Sequence, residues 1–198
     1  MRSVAFESFI TPATATLTFR PAMQRDNPEI ARLHDAVWHE GHRGLSPAQI
    51  SGSPEDERSL WPQDGRGIRM VAERGGELVG FAIGGPARDP LLKADTEIQA
   101  LCIRPGLRFR GIGAALIAAL AQRLAMVLGA RQAGVWISAV NVAAVAFARA
   151  LGAVVERKTA VSHAIASGNL LTGSPRLALV WHDIDTLAFH AKRLSAQS

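Results

Sequence analysis

The stretch TEIQALCIRPGLRFRGIGA, residues 96–114, decides the fold. Its first half, Thr96–Arg104, is rich in apolar and β-branched residues and reads as a strand that Pro105 stops. A loop of Arg and Gly follows and opens a long alanine-rich helix, from about Gly111 to Leu128, which Gly129 ends. Arg108, Gly111 and Gly113 stand in the pattern R-x-x-G-x-G. The two glycines remove side chains where a ligand must come close to the main chain. The first N–H groups of a helix have no partners within it and, with the helix dipole, form a cup that attracts anions. A pyrophosphate suits that arrangement.

Three other readings of the loop compete. A dinucleotide fingerprint needs G-x-G-x-x-G, and Leu116 stands where the third glycine belongs. A P-loop needs Gly-Lys-Ser/Thr, which does not occur. A glycine-containing turn before a helix can also bind nothing.

Outward from this segment, the chain reads as alternating short elements. Residues 15–20 read as a strand that stops at Pro21, and Asp26-Asn27-Pro28-Glu29 opens a helix whose Ile30, Leu33, Val37 and Trp38 form one apolar stripe up to Gly41. Residues 43–66 hold two short helix starts, Ser46-Pro47 and Ser53-Pro54. Ile68–Glu73 and Glu77–Ile83 flank Gly75-Gly76 as a hairpin. Beyond the long helix come a strand over 133–140, a helix Asn141–Leu151 stopped by Gly152, strands near 153–165 and 177–182, and a helix over 184–194. Leading hairpins followed by an α-crossover predict an α/β (α+β) fold with a mixed, mostly antiparallel sheet. The expected organisation is an extension over 1–14, one domain over 15–182, and a C-terminal helix and tail over 183–198.

Composition narrows the function classes. The 198 residues carry a net charge of +5, and of 22 basic residues only Lys93, Lys158 and Lys192 are lysine. Arginine favours anionic ligands. The arginines are scattered, with no basic run and no interleaved aromatics, so no nucleic-acid partner is expected. The most apolar window, 111–130, carries Gln122 and Arg123 near its centre and reads as a buried helix, with no membrane partner. One cysteine, Cys102, and no recognisable export segment make a cytoplasmic location the default. His39-Glu40-Gly41-His42 lacks the H-E-x-x-H spacing, so no metal is expected.

Several of these segments together resemble the GNAT superfamily of acyl-CoA-dependent N-acyltransferases. RFRGIGAAL resembles its pyrophosphate motif, EIQALCIRP its fourth strand, and NVAAVAFARALGA its asparagine-led helix after the fifth strand. TFRPAMQRDNPEIARLHDAVW and VAERGGELVGFAIG resemble its opening strand and helix and its second and third strands. The resemblance spans about residues 16–182. It implies a splay between the fourth and fifth strands, with acetyl-CoA as acyl donor. Main-chain N–H groups from Arg108 through Phe109, Arg110, Gly111, Ile112, Gly113 and Ala114 would hold the CoA pyrophosphate. The backbone of Leu101, Cys102 and Ile103 would pair with the pantetheine arm, Asn141 would hydrogen-bond it, and Phe147 would lie beside it. Asn141 also reads as a helix cap, and Phe147 as ordinary core.

The chemistry that the resemblance implies is acetyl transfer to a primary amine of a small molecule or peptide. Glu97 would act as the base, and its alternative reading is a carboxylate paired with an arginine. A departure stands out: many relatives place a general-acid tyrosine where this chain has Ala148, and the chain contains no tyrosine. Ser138, Cys102, His163 or His182 could stand in, with nothing in the spacing to choose among them. The alternative function is a non-catalytic CoA-binding or regulatory module. His39, Glu40 and His42 read either as acceptor-site residues or as solvated loop, and the 184–194 helix offers a surface for a homodimer.

Overall fold

A computed structural model describes residues 16–43, 53–59, 61–62, 65–159 and 175–197. Seven strands form one sheet: β1 (Leu17–Pro21), β2 (Ile68–Arg74), β3 (Glu77–Pro86), β4 (Thr96–Ile103), β5 (Ala133–Ser138), β6 (Val154–Thr159) and β7 (Arg176–Trp181). Their order is β1-β2-β3-β4-β5-β7-β6. The helices are α1 (Asn27–Gly41), α2 (Pro54–Ser59), α3 (Ile112–Leu128), α4 (Val142–Ala150) and α5 (Ile184–Ala196). The expected mixed α/β sheet is therefore present, with β4–β5 its parallel pair and the others antiparallel. The predicted extension over 1–14 and the helix start at Ser46-Pro47 lie outside the described residues.

Each sheet face is covered for a reason legible in the side chains. Ile112, Leu116, Leu120 and Leu124 of α3 recur at helical spacing and are buried against Met70, Val79, Ala82 and Ile98 of the sheet. The apolar face of α5, Ile184, Leu187, Ala188 and Ala191, is buried in that same core. The apolar stripe of α1, with Ile30 and Leu33, covers the opposite face with Trp61, Phe81, Ile83 and Cys102. A smaller cluster of Leu92, Trp136, Ala178 and Val180 extends the covering beneath β5 and β7. The apolar window at 111–130 is thus a core helix, and among the described residues no helix is long and apolar enough to cross a membrane.

Polar groups pin the first helix to the sheet. Arg20 on β1 donates two hydrogen bonds to Asp26, at 2.7 and 3.0 Å, and two to Glu73 on β2, at 2.8 and 3.1 Å. These bonds hold the Asp26 carboxyl below the usual carboxylate range despite its burial. Asp183 caps α5, as its place in the sequence implies, by accepting from the Asp185 N–H.

Candidate active site

The decisive geometry is a fork in the sheet. β4 and β5 pair only at Thr96–Ala133 and Glu97–Gly134. Beyond that point β4 stays on β3 as far as Ile103–Gly80, while β5 pairs with β7 along its whole length. A β-bulge marks the parting: Ile98 lies opposite Gly84 and Ala100 opposite Ile83, which leaves Gln99 as the extra residue. A bulge bends its strand and increases its twist, so β4 turns away from β5 there. The closed end is packed tightly, since a Cβ on Gly134 would stand 2.7 Å from Leu92.

The loop from Arg104 to Gly111 carries the chain from β4 to α3. Gly111 starts the helix at φ +72° and supplies no side-chain cap. The first helical bond runs from Ala115 N–H to Gly111 C=O at 3.0 Å, so the Ile112, Gly113 and Ala114 amides have no helical partner. Beside them, a Cβ on Gly113 would stand 3.7 Å from Leu101, 3.8 Å from Ile103 and 3.8 Å from Phe147. The predicted cofactor residues Leu101, Ile103, Gly113 and Phe147 therefore converge on one wall, at the level where the strands have separated. A free amide cup, a bare glycine and an unpaired strand edge fit an extended thioester carrier ending in a diphosphate.

The other predicted cofactor residues fall around this wall. Asn141 caps α4, its Oδ1 accepting from Ala144 N–H at 3.1 Å, which leaves its Nδ2 as a donor. Cys102 is buried on the α1 side, where burial pushes its thiol up to about 12, with Glu57 adding to the shift and Arg108 opposing it. Such a thiol holds its proton and is neither nucleophile nor acid here. Arg108 pairs through Nη2 with Glu40 at 2.5 Å, which ties the end of α1 to the anion loop. Arg110 is exposed. Phe109 is 93% exposed at φ +61°, a conformation that costs a residue with a Cβ about 1–2 kcal/mol. Phe109→Gly is expected to raise the melting temperature by about 2 °C, less than the full strain because glycine also loosens the unfolded chain. A thermal melt in which the variant is the less stable would contradict this.

Glu97 is fully buried and engaged. Arg88 Nε and Nη2 donate to its two oxygens at 3.0 and 2.8 Å, and the Arg88 backbone N–H approaches at 3.4 Å. The arginine pairing weighed from the sequence is therefore present. Glu97 lies opposite Gly85, where a Cβ would meet Pro62, and opposite Gly134, where a Cβ would meet Leu92, so its side chain points to the α1 face.

Among the stand-ins for the missing tyrosine, His163 lies outside the described residues. His182 is exposed, bonded to Glu156 at 2.8 Å, next to Trp181 at the closed end of the fork. Ser138 is buried at the end of β5, and its hydroxyl has no partner. Ala148 is buried in the α3 core. Of the α1 histidines, His34 bonds Glu57 at 3.1 Å under Trp61, and His42 bonds the Trp38 carbonyl at 2.7 Å. No group of three metal-ligating side chains converges among the described residues.

Arg88 and Gln99 were not singled out by the sequence. Gln99 did carry a signal, a second polar residue two places after Glu97 in an apolar strand. Arg88 carried none, because its partner is nine residues away across a turn that only the fold closes.

A sheet forked between its parallel strands, with an uncapped helix start at the mouth, is the architecture that the resemblance to acyl-CoA-dependent transferases implied. The family model for the acetyltransferase (GNAT) family matches residues 30–153, and the chain belongs to that family. Solved structures agree on the fold. The ribosomal-protein-S18-alanine N-acetyltransferase of Escherichia coli superposes with a TM-score of 0.58 at 19% identity, covering 83% of this chain and 92% of that one. The ribosomal-protein-alanine N-acetyltransferase of Brucella melitensis gives 0.60 at 20% identity, covering 83% and 98%. A Salmonella typhimurium structure with its cofactor acetyl-CoA gives 0.61 at 16% identity, covering 86% and 95%. A search of curated proteins by sequence finds no match.

Proposed function

We propose that this enzyme transfers an acetyl group from acetyl-CoA to a primary amine, and that the fork between β4 and β5 is its active site. The single observation that carries the reading is the parting of β4 from β5 after Glu97, beside the three unpartnered amides of Ile112–Ala114. Acetyl-CoA supplies the acyl group as an activated thioester. The amides from Arg108 to Ala114 would bind the diphosphate, the edge of Leu101–Ile103 would align the arm as an added strand, and Asn141 Nδ2 would donate to it.

The amine would approach from the α1 face, where the Glu97 carboxylate points. A new C–N bond forms, the C–S bond breaks, the amine's proton passes to Glu97 directly or through water, and the departing thiolate takes a proton from water or from Ser138. Arg88 donates to the Glu97 carboxylate three times, twice from its guanidinium and once from its backbone N–H. The acceptor is a small-molecule or peptide amine.

A second reading, a CoA-binding module without turnover, is favoured by two observations: Arg88 already holds the carboxylate, and Ala148 replaces the acid. One experiment separates them. CoA at about a hundred times its Kd should raise stability by about 2.7 kcal/mol, read as a higher melting temperature. Thiol release on an amine panel, reduced at least about a hundredfold in Glu97→Gln, identifies the enzyme. An unmoved melting temperature in millimolar CoA defeats both readings.

A further inference from the structure

The bulge residue Gln99 holds an amide that the fold does not use. Gln99 is only 4% exposed, and among the described residues neither its Nε2 nor its Oε1 has a hydrogen-bond partner. Burying a primary amide with no partner costs about 1–3 kcal/mol, and leucine at the same place would avoid that cost. The position is as telling as the burial. Gln99 is the residue inserted where the β4–β5 ladder ends, two places beyond Glu97. Two other buried polar side chains of β4 are engaged, Glu97 by Arg88 and Thr96 by the Gln132 carbonyl at 2.8 Å, whereas across the fork on β5 the Ser138 hydroxyl and the Trp136 indole N–H also lack a partner among the described residues.

From the helix start at Gly111–Ala114, a carrier running back along the free edge of β4 passes Ile103 and Leu101 and reaches the bulge. Ile103 to Ile98 spans about 17 Å of strand, of the same order as an extended pantetheine arm. Its amides can pair with the strand edge. The one hydrogen-bonding group at the reactive end is the thioester carbonyl, and it needs a donor.

We infer that Gln99 recognises the acyl group: its Nε2 donates a hydrogen bond to the thioester carbonyl, and its Oε1 accepts one from the incoming amine. The amide thus aligns the two reacting groups and polarises the carbonyl, at a standing cost to the stability of the free protein. This rests on the acetyl-CoA reading above, and the experiment separates the two.

The test uses the full chain, CoA, and acetyl-CoA labelled with carbon-13 at the carbonyl. In the infrared difference spectrum, the bound carbonyl band of Gln99→Leu should lie at higher frequency than that of the wild type. Acetyl-CoA affinity should fall about five- to tenfold, while affinity for CoA, which lacks the carbonyl, should stay within about twofold. The free variant should melt at or above the wild-type temperature. Gln99→Met provides the same measurement if the leucine variant does not fold. Coincident carbonyl bands, or equal weakening of CoA and acetyl-CoA, overturn the inference. So does a lower melting temperature with unchanged discrimination, the mark of an amide that serves only to hold a buried water. Failure of the wild type to bind CoA at all would instead defeat the acetyl-CoA reading, and this inference with it.

Discussion

Gly111→Glu is expected to weaken CoA binding at least about a hundredfold while the protein stays folded. Gly111 sits at the N-terminal end of α3 at φ +72°, directly before the unpartnered amides of Ile112, Gly113 and Ala114. A glutamate there places a carboxylate in the cup meant for a diphosphate. It satisfies the helix's first amides itself and repels the ligand's charge. Any side chain at this φ costs about 1–2 kcal/mol of stability, so Gly111→Ala is the matched control: the same backbone penalty with no added charge. Binding of CoA and of acetyl-pantetheine, which lacks the diphosphate, should be compared by calorimetry. CoA should lose far more in Gly111→Glu than in Gly111→Ala, and acetyl-pantetheine should lose little in either. Equal CoA affinity in the glutamate and alanine variants would show that the diphosphate binds elsewhere.

Arg88→Met should destabilise the protein by about 3 kcal/mol, a fall in melting temperature of roughly 10 °C. Glu97 is fully buried, and the guanidinium of Arg88 bonds both of its oxygens. Removing the arginine takes the guanidinium away from a buried carboxylate, which costs more than the pair itself contributes. The figure is set at the lower end for a buried pair because the Arg88 side chain is 22% exposed. Most of the loss should return in Arg88→Met/Glu97→Gln, where no charge is left to neutralise. If the double variant melts as low as the single one, Arg88 stabilises through packing alone. The kinetic arm is separate: the double variant, stable but without the carboxylate, should not restore turnover. Recovered turnover would remove Glu97 from the chemistry.

The parts of the site that were legible beforehand share one property: their information is local. The strand stopped by Pro105, the R-x-x-G-x-G loop, the alanine-rich helix closed by Gly129 and the Asn141 cap each depend on residues within a turn or two. Their observed bounds differ from the expected ones by small amounts, as at β5, which ends at Ser138 and not at 140 because the chain turns there into the Asn141 cap. Glu40 shows the opposite case. Its place at the end of α1 left it as either an acceptor-site residue or a solvated loop residue, and the fold adds a pairing with Arg108 beside the anion loop, between residues 68 positions apart. Gln99 is intermediate: its polarity was visible in the strand, but its standing as a bulge residue required the pairing of β3 with β4.

By itself the amino-acid sequence determined the element types, the glycine-opened helix start, the family to which the chain belongs and the absence of any tyrosine for acid catalysis. These follow from periodicity, capping and backbone freedom, which act over a few residues. Only the tertiary structure decided that β4 and β5 separate after two residue pairs, that Arg88 holds Glu97, and that the Gln99 amide is buried without a partner. Strand pairing, charge compensation and burial are relations between distant segments. They exist only once the chain has closed its loops and excluded water between them.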